Sequence, residues 1–252
     1  LLGFKDLVEA GLGGDMTTMA EAEEWYEAYQ KGEKKTTSCC PGFVNMIRKH
    51  YPELEDKIST AVSPMCAVSR MIKAKEPGAV TVFIGPCIAK KSEANEHKIE
   101  GNVDFVLTYS EVRAIMKAKG VELQPSDNDY QESSTFGKRF GNSGGVTASV
   151  LEYMKEKDYD CNPKVCKANG SAECKKALLL LKAGKLPDDF IEGMACVGGC
   201  VGGPSAFKNQ LQAKKDRDTL IGKADARTIT GNLDHYEMDR FSMHRVEHST
   251  EA

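Results

Sequence analysis

The chain has 252 residues, 40% of them hydrophobic and 28% charged, and a formal net charge of −3, the balance of a globular protein with a real core. No basic stretch is interleaved with aromatics, which argues against a nucleic-acid partner. No apolar run approaches the ~18 residues of a membrane span and no signal peptide opens the chain, which argues against membrane insertion.

In chain order, "LLGFKDLVEAGLGGDM" reads as the end of a helix followed by a strand, and with no initial methionine the natural protein is expected to extend further at its N-terminus. "MTTMAEAEEWYEAYQKGEK" reads as a helix with an acidic face and apolar Met19, Trp25 and Tyr29. "TTSCCPG" is a loop and "FVNMIRKHY" a second helix, followed by a short strand over 57–62 and a helix over 65–75. "AVTVFIG", set between Pro77–Gly78 and Gly85–Pro86, is the clearest buried strand. The "PC" loop and a charged helix, "IAKKSEANEH", come next, then the strand "VDFVLTYS" and the helix "EVRAIMKAKG" with Ser110 as its cap. Residues 125–145, rich in Ser, Asp, Asn and Gly, read as a long surface loop. "VTASVLEYMKEK" and "AECKKALLLLKAG" are helices, and "DFIEGMAC" is a strand running into a glycine-rich loop. After Pro204 the chain is charged and weakly periodic, an extended tail over the domain. This alternation of strand, loop and helix predicts an α/β fold with largely parallel sheet.

Nine cysteines is an odd and high number, and they fall in loops between αβ units. That pattern points to a reducing, cytoplasmic compartment and metal-bound thiolates rather than a disulfide scaffold. Three loops share one form, in which a cysteine stands at or just before a helix start. They are "TSCCPG" (Cys39, Cys40), "IGPCIAKKSE" (Cys87) and "EGMACVGGCVGG" (Cys196, Cys200). In an open α/β sheet, ligands bind beyond the carboxyl ends of the strands. One thiolate from each of the first two loops and two from the third make the four-cysteine set of a 4Fe–4S cluster. Zinc is the nearest rival, but its structural sites favour two-residue gaps between paired cysteines, which are lacking here. Cys66, Cys161, Cys166 and Cys174 have no assigned role; the last three, spaced C-x4-C-x7-C without a fourth nearby ligand, read as structural thiols in preference to a second metal site.

Taken together and in order, "TSCCPGF", "GPCIAKKSE" and "EGMACVGGCVGG" resemble the three signature motifs of the FeFe-hydrogenase catalytic domain, from about Gly3 to Pro204. The resemblance implies two mainly parallel β-sheet lobes, flanked by helices, with an H-cluster held between them. It implies a catalytic domain over residues 1–204 and an extension over 205–252 packing on it. Cys40, Cys87, Cys196 and Cys200 would ligate the 4Fe–4S cubane, and Cys200 would bridge to a diiron subsite carrying CO, cyanide and an azadithiolate. Cys39 would stay a free thiol that passes protons to the cofactor, continued by Glu21, Ser59 and Glu24. Taken alone, Glu21 and Glu24 read as two solvated acids on a surface helix. Lys90 would donate to one cyanide with Glu93 as its acidic companion, Ser63 and Pro64 would contact the other, and Met194 would pack against the diiron site.

The resemblance is to a divergent subgroup. Phe43 stands where tryptophan is usual, Gly85 where methionine precedes "PC", Met65 and Cys66 where a glutamine-containing loop lies, and "GGPSAF" replaces a longer glycine run. The implied reaction is 2 H⁺ + 2 e⁻ ⇌ H₂. No ferredoxin-like cluster motif occurs in the chain, so electrons are expected from a ferredoxin or an electron-transfer subunit or domain, and the diiron subsite from maturation proteins. Two other readings use the same cysteines: a hydrogen sensor with low turnover, and a cytosolic iron–sulfur assembly factor without the diiron subsite.

Overall fold

The computed structural model describes residues 2–96, 99–124 and 131–245. Its longest helix, α1 (Ala10–Gln30), is also among its most buried elements. It begins well before "MTTMAEAEE", so residues 10–16 are helical rather than the predicted strand. Gly13 and Gly14 look like turn residues in the sequence, yet they serve close packing. A Cβ on Gly13 would lie 2.1 Å from the carbonyl oxygen of Pro64, and one on Gly14 would lie 2.9 Å from that of Gly137. The expected solvated acidic face is absent at its centre, because Asp15 and Glu21 are fully buried.

The chain continues through β1 (Lys35–Thr36), α2 (Pro41–His50) and a 3₁₀ turn over Pro52–Lys57. The strand predicted over 57–62 reduces to single bridges, Thr36 to Ile58 and Ala61 to His244. Next come α3 (Pro64–Lys75), β2 (Val82–Gly85), α4 (Ala89–Ala94), β3 (Phe105–Thr108) and α5 (Tyr109–Ala118). Thr108, not Ser110, caps α5, in a reciprocal capping box with Glu111. Of residues 125–145, those at 125–130 lie outside the described residues. The remainder is no surface loop, since it forms α6 (Thr135–Arg139) and buries Ser133 and Ser134.

The second half holds α7 (Gly145–Glu156), β4 (Val165–Asn169), α8 (Ser171–Lys182) and β5 (Phe190–Met194). After Pro204 the chain is helical in α9 (Gln210–Ile221) and α10 (Ile229–Leu233), so the predicted extended tail is corrected there. Helix α10 docks by burying Ile229 and Leu233 in the core and through Asn232, whose Nδ2 donates to Asp15 Oδ2 at 2.8 Å. The same carboxylate accepts from Ser134 N at 2.7 Å and Ser134 Oγ at 2.5 Å, tying α1, α6 and α10 together. Asp15→Ala would strand these donors, and urea unfolding should show a loss of about 3 kcal/mol or more. A loss below about 1 kcal/mol would mean the tie is dispensable.

Two separate parallel sheets result, β1-β5-β4 and β2-β3. In the first, Lys35 and Val165 both pair with Phe190, and Asn169 pairs with Met194. In the second, Val82 pairs with Phe105 and Gly85 with Thr108. The most buried strand is β5, in which every residue is covered; β2 is only half covered, with Ile84 exposed. Trp25 on α1 stacks on Phe190 with centroids 4.4 Å apart, joining the long helix to the larger sheet. Phe43, Ile47, Leu178 and Ile191 fill the opposite face of that sheet.

Candidate metal centre and buried acid path

All three cysteine loops leave the carboxyl ends of parallel strands. From β1 the chain runs to Cys39 and Cys40, from β2 to Cys87, and from β5 to Cys196 and Cys200. Cys40 sits at the N-cap of α2 with Pro41 at the first helical position. The Ala195 amide donates to Cys40 Sγ at 3.5 Å, so the first and third loops touch directly. The thiols of Cys87, Cys196 and Cys200 are raised, in part by their neighbours. Burial first, then Cys40 and Cys87, push the Cys196 thiol up. Burial likewise raises Cys87, with Cys40 adding to the rise, while Lys90 and the backbone amides of Lys90 and Ala89 oppose it. Burial, followed by Cys40 and Cys87, pushes Cys200 up to about 12. As a residue Cys200 keeps exposed surface; its sulfur is nevertheless hemmed in by protein, and that crowding governs the thiol. Among the described residues, no three His, Cys, Asp or Glu side chains form a group suited to one metal ion.

The third loop is shaped by glycine. Gly198 and Gly199 hold φ of +83° and +81°, which side chains rarely adopt. A Cβ on Gly199 would meet the Gly141 carbonyl at 2.3 Å. That carbonyl accepts from the Cys200 amide at 2.7 Å, so the segment predicted as a surface loop braces Cys200.

On α4, Lys90 Nζ is buried and bonds Glu93 Oε2 at 2.6 Å and the Cys39 carbonyl at 3.3 Å. Burial by itself would lower the Lys90 pKa, but the Glu93 carboxylate outweighs it and holds it above the ordinary lysine value. Arg245 lies 3.8 Å from Glu93 Oε1 and donates to the Ser38 carbonyl at 3.3 Å. Ser63, the N-cap of α3, is fully buried, and its Oγ has no hydrogen-bond partner. Pro64 follows it at the first helical position, and Met194 ends β5 with 3% exposure.

A second set of groups runs away from Cys39. Glu21 Oε1 accepts from the Trp25 indole at 3.2 Å, and its Oε2 lies 3.1 Å from Ser59 Oγ. Ser59 Oγ also lies 2.8 Å from Glu24 Oε2. A hydroxyl has one hydrogen, so two carboxylates on one serine are both satisfied only if one of them carries a proton. Burial, reinforced by the Glu24 charge, lifts Glu21 to about 8, so Glu21 is the protonated partner at neutral pH. Burial and then the Glu21 charge push the Cys39 thiol well above its ordinary value and keep it an S–H group. Among the described residues no hydrogen bond joins Cys39 to Glu21; the link between them is through space.

Sequence reasoning missed several participants. Lys35 Nζ lies 3.1 Å from Glu24 Oε1, and the Thr60 amide donates to Glu24 Oε2 at 2.9 Å. Thr60 lies beside a residue already singled out, but nothing in "HRVEHS" marks His244 or Arg245. The remaining cysteines are accounted for by packing. Cys174 Sγ lies 3.5 Å from the Met194 carbonyl in the core, and Cys161 Sγ is 3.6 Å from Met154 Sδ. Cys166 is half-buried on β4, and burial pushes Cys66 on α3 up to about 11.

The sequence profile of the family described as "Iron only hydrogenase large subunit, C-terminal domain" matches residues 1–204. The chain is 30% identical to iron hydrogenase 1 of Clostridium pasteurianum, over 80% of this chain and 43% of that protein. It is 30% identical to the periplasmic Fe hydrogenase large subunit of Nitratidesulfovibrio vulgaris, over 86% of this chain and 63% of that one. It is also 24% identical to the cytosolic Fe-S cluster assembly factor narfl of Xenopus tropicalis, over 85% of this chain and 57% of that protein. The chain thus spans about half the length of the curated relatives it matches. Among solved structures, an FeFe-hydrogenase studied for oxygen inactivation of its H cluster aligns with a TM-score of 0.72 at 22% identity, covering 92% of this chain and 79% of the other. The fold and the motif-bearing residues together place the chain in the iron-only hydrogenase large-subunit family, as a divergent member of its catalytic-domain type.

Proposed function

We propose that this chain is the catalytic part of a hydrogenase that interconverts protons and H₂ at an H-cluster. The observation that carries this reading is the buried, hydrogen-bonded Glu21–Ser59–Glu24 path leading towards Cys39, beside the four converging thiols. A protein that only held or handed on a cubane would have no use for the fully buried Glu21 carboxyl, which has no cation beside it among the described residues and joins the half-buried Glu24 through one serine hydroxyl.

The donor set fits the cluster. Cys40, Cys87, Cys196 and Cys200 would hold the 4Fe–4S cubane, with Cys200 shared with the diiron subsite. Ser63 Oγ is an orphaned buried hydroxyl, and with Pro64 it would face one cyanide. Lys90, charged through its pairing with Glu93, would face the other, while Met194 would wall the pocket. When bound, the cluster supplies the redox chemistry that joins two protons and two electrons.

The protein's own work is proton handling and shelter. Cys39 would present or receive a proton at its sulfur, and Glu21, Ser59 and Glu24 would move it along. Each would hand over one proton as it takes another, which reverses the donor direction at Ser59, and a turn of the hydroxyl would reset the path before the next proton. The step between Cys39 and Glu21 requires a bridging water or a side-chain turn. We assign residues 1–204 to the cluster-binding unit and 205–252 to an extension, with a cytoplasmic setting, a ferredoxin or electron-transfer subunit as electron source, and maturation proteins supplying the diiron subsite. A relative named as an NADP-reducing hydrogenase subunit in Solidesulfovibrio fructosivorans, 29% identical over 89% of this chain, supports an electron-transfer partner.

The similarity to assembly factors favours one second reading, in which only the cubane binds. Infrared spectroscopy of the anaerobic protein after incubation with the diiron cofactor separates the two. Metal-bound CO and cyanide stretches are expected. If they are missing from protein shown to carry a 4Fe–4S cluster, the assembly-factor reading replaces this one.

A further inference from the structure

The buried path has to meet water somewhere. Glu24 Oε2 accepts from Ser59 Oγ at 2.8 Å on the inner side and from Thr60 Oγ1 at 3.2 Å on the outer. Thr60 Oγ1 in turn lies 2.8 Å from Nδ1 of His244, an exposed residue. Thr60 thus sits between a carboxylate and an imidazole, with the imidazole in solvent.

The histidine is held in place by backbone, not by chance contact. Residues 242–245 lie along residues 60–62 as a short antiparallel segment bridged at Ala61 and His244. Val62 N donates to the Met243 carbonyl at 2.8 Å, and Arg245 N donates to the Thr60 carbonyl at 2.7 Å. Met243 is buried, and Arg70 Nη1 donates to the His244 carbonyl at 2.9 Å. Of the charged groups near His244, Glu23 on α1 interacts with it and with Lys157, Arg70 on α3 binds its carbonyl, Glu24 meets it only through Thr60, and Arg245 follows it in sequence. His244 lies outside residues 1–204 that match the family profile, so nothing in that match assigns it a role.

We propose that His244 is the solvent end of the proton path, exchanging protons between water and Glu24 through the Thr60 hydroxyl; this rests on the hydrogen-converting reading. Inward, a proton from water binds Nε2 and the Nδ1–H proton passes to Thr60 Oγ1. The hydroxyl's own proton passes to Glu24 Oε2, and a turn of the exposed ring brings an N–H back to Thr60. As many N–H and O–H bonds form as break, and nothing is oxidised or reduced. Outward transfer is the reverse. Lys35 also touches Glu24, at 3.1 Å from Oε1. An ammonium group has one nitrogen and only donates, whereas an imidazole can take a proton at one ring nitrogen while releasing one from the other. Lys35 therefore serves Glu24 as a fixed counter-charge.

The test has two arms. In cluster-free protein, nitrogen-15 NMR of the His244 ring should show Nδ1 in a hydrogen bond, and Thr60→Val should remove it. In cofactor-loaded protein, His244→Ala should cut turnover about tenfold or more near neutral pH. Free imidazole in the medium should restore it, with cluster infrared bands unchanged. His244→Gln keeps a hydrogen bond to Thr60 but cannot exchange protons, and it should be equally slow; it decides the matter if the alanine variant fails to fold. A wild-type Nδ1 free of hydrogen bonding overturns the proposal, as does a loaded His244→Gln protein at the wild-type rate or a slow His244→Ala protein that imidazole does not restore. A loaded wild type with no turnover overturns the function instead, and the ring hydrogen bond in cluster-free protein then decides for His244 alone.

Discussion

Replacing Cys39 by alanine should lower hydrogen turnover by about two to four orders of magnitude, the range for losing a positioned proton-transfer group, while iron content and cluster absorption should stay at the wild-type level. Cys39 and Cys40 are neighbours with different surroundings. Cys40 Sγ points into the loop of Cys196, where the Ala195 amide meets it. Cys39 is buried, with Glu21 on one side and the Lys90 charge on another, and remains a neutral thiol. A neutral S–H group can give up and take back a proton; a metal-bound thiolate has already lost its own. The substitution removes one buried sulfur, at a cost of about 1 kcal/mol, so the fold survives it. Cys200→Ala is the contrasting variant, and it should lose the cluster absorption itself. A Cys39→Ala protein with full turnover rules out Cys39 as the proton donor, and an intact cluster in Cys200→Ala rules out that ligand.

The cysteine loops were legible in the sequence because their chemistry is local. A strand end, a cysteine and a helix start fall within a few residues, and "CVGGCVGG" needs its glycines whatever surrounds it. Glu21 and Glu24 were legible only through the family resemblance. Their spacing fits a solvated helix face equally well, and what buries Glu21 is packing by distant residues. Gly13 misled for a related reason. A glycine signals a turn unless another backbone comes within touching distance, and the partner here is Pro64, 51 positions away in sequence. The segment over 131–145 was read as loop because it is polar. Its polar groups are in fact satisfied inside the protein, Ser134 by Asp15 and the Gly144 amide by the buried Glu192 carboxylate. The helices after Pro204 are short or weakly amphipathic, and α10 is fixed by partners far away in sequence, Asp15 on Asn232 and Glu156 on the Ile229 and Thr230 amides. His244 carries no local pattern at all; its place follows from pairing with residues nearly two hundred positions earlier.

Glu21→Gln should separate proton transfer from structure most sharply. Glutamine has nearly the same shape, and it can satisfy both partners that Glu21 now holds. Its carbonyl accepts from the Trp25 indole, and its amide donates to Ser59 Oγ, leaving the serine hydrogen for Glu24. Turnover should fall about a hundredfold or more, since an amide cannot pass a proton on. Stability should move the other way, and its pH dependence gives the sign. Burial lifts the Glu21 pKa from 4.5 to about 8, so between those values the folded wild type holds a proton that the unfolded chain has released. Wild-type stability therefore drains away as pH rises through that window, by up to about 1.4 kcal/mol per pH unit. The glutamine variant has no proton to lose at this position. Its advantage should be smallest near pH 4.5 and reach its maximum above about pH 8, where the wild type must bury a carboxylate. Thermal or urea unfolding at a series of pH values reads this directly. Parallel wild-type and variant curves would mean that Glu21 ionises normally in the folded protein, and an unimpaired turnover would remove it from the path.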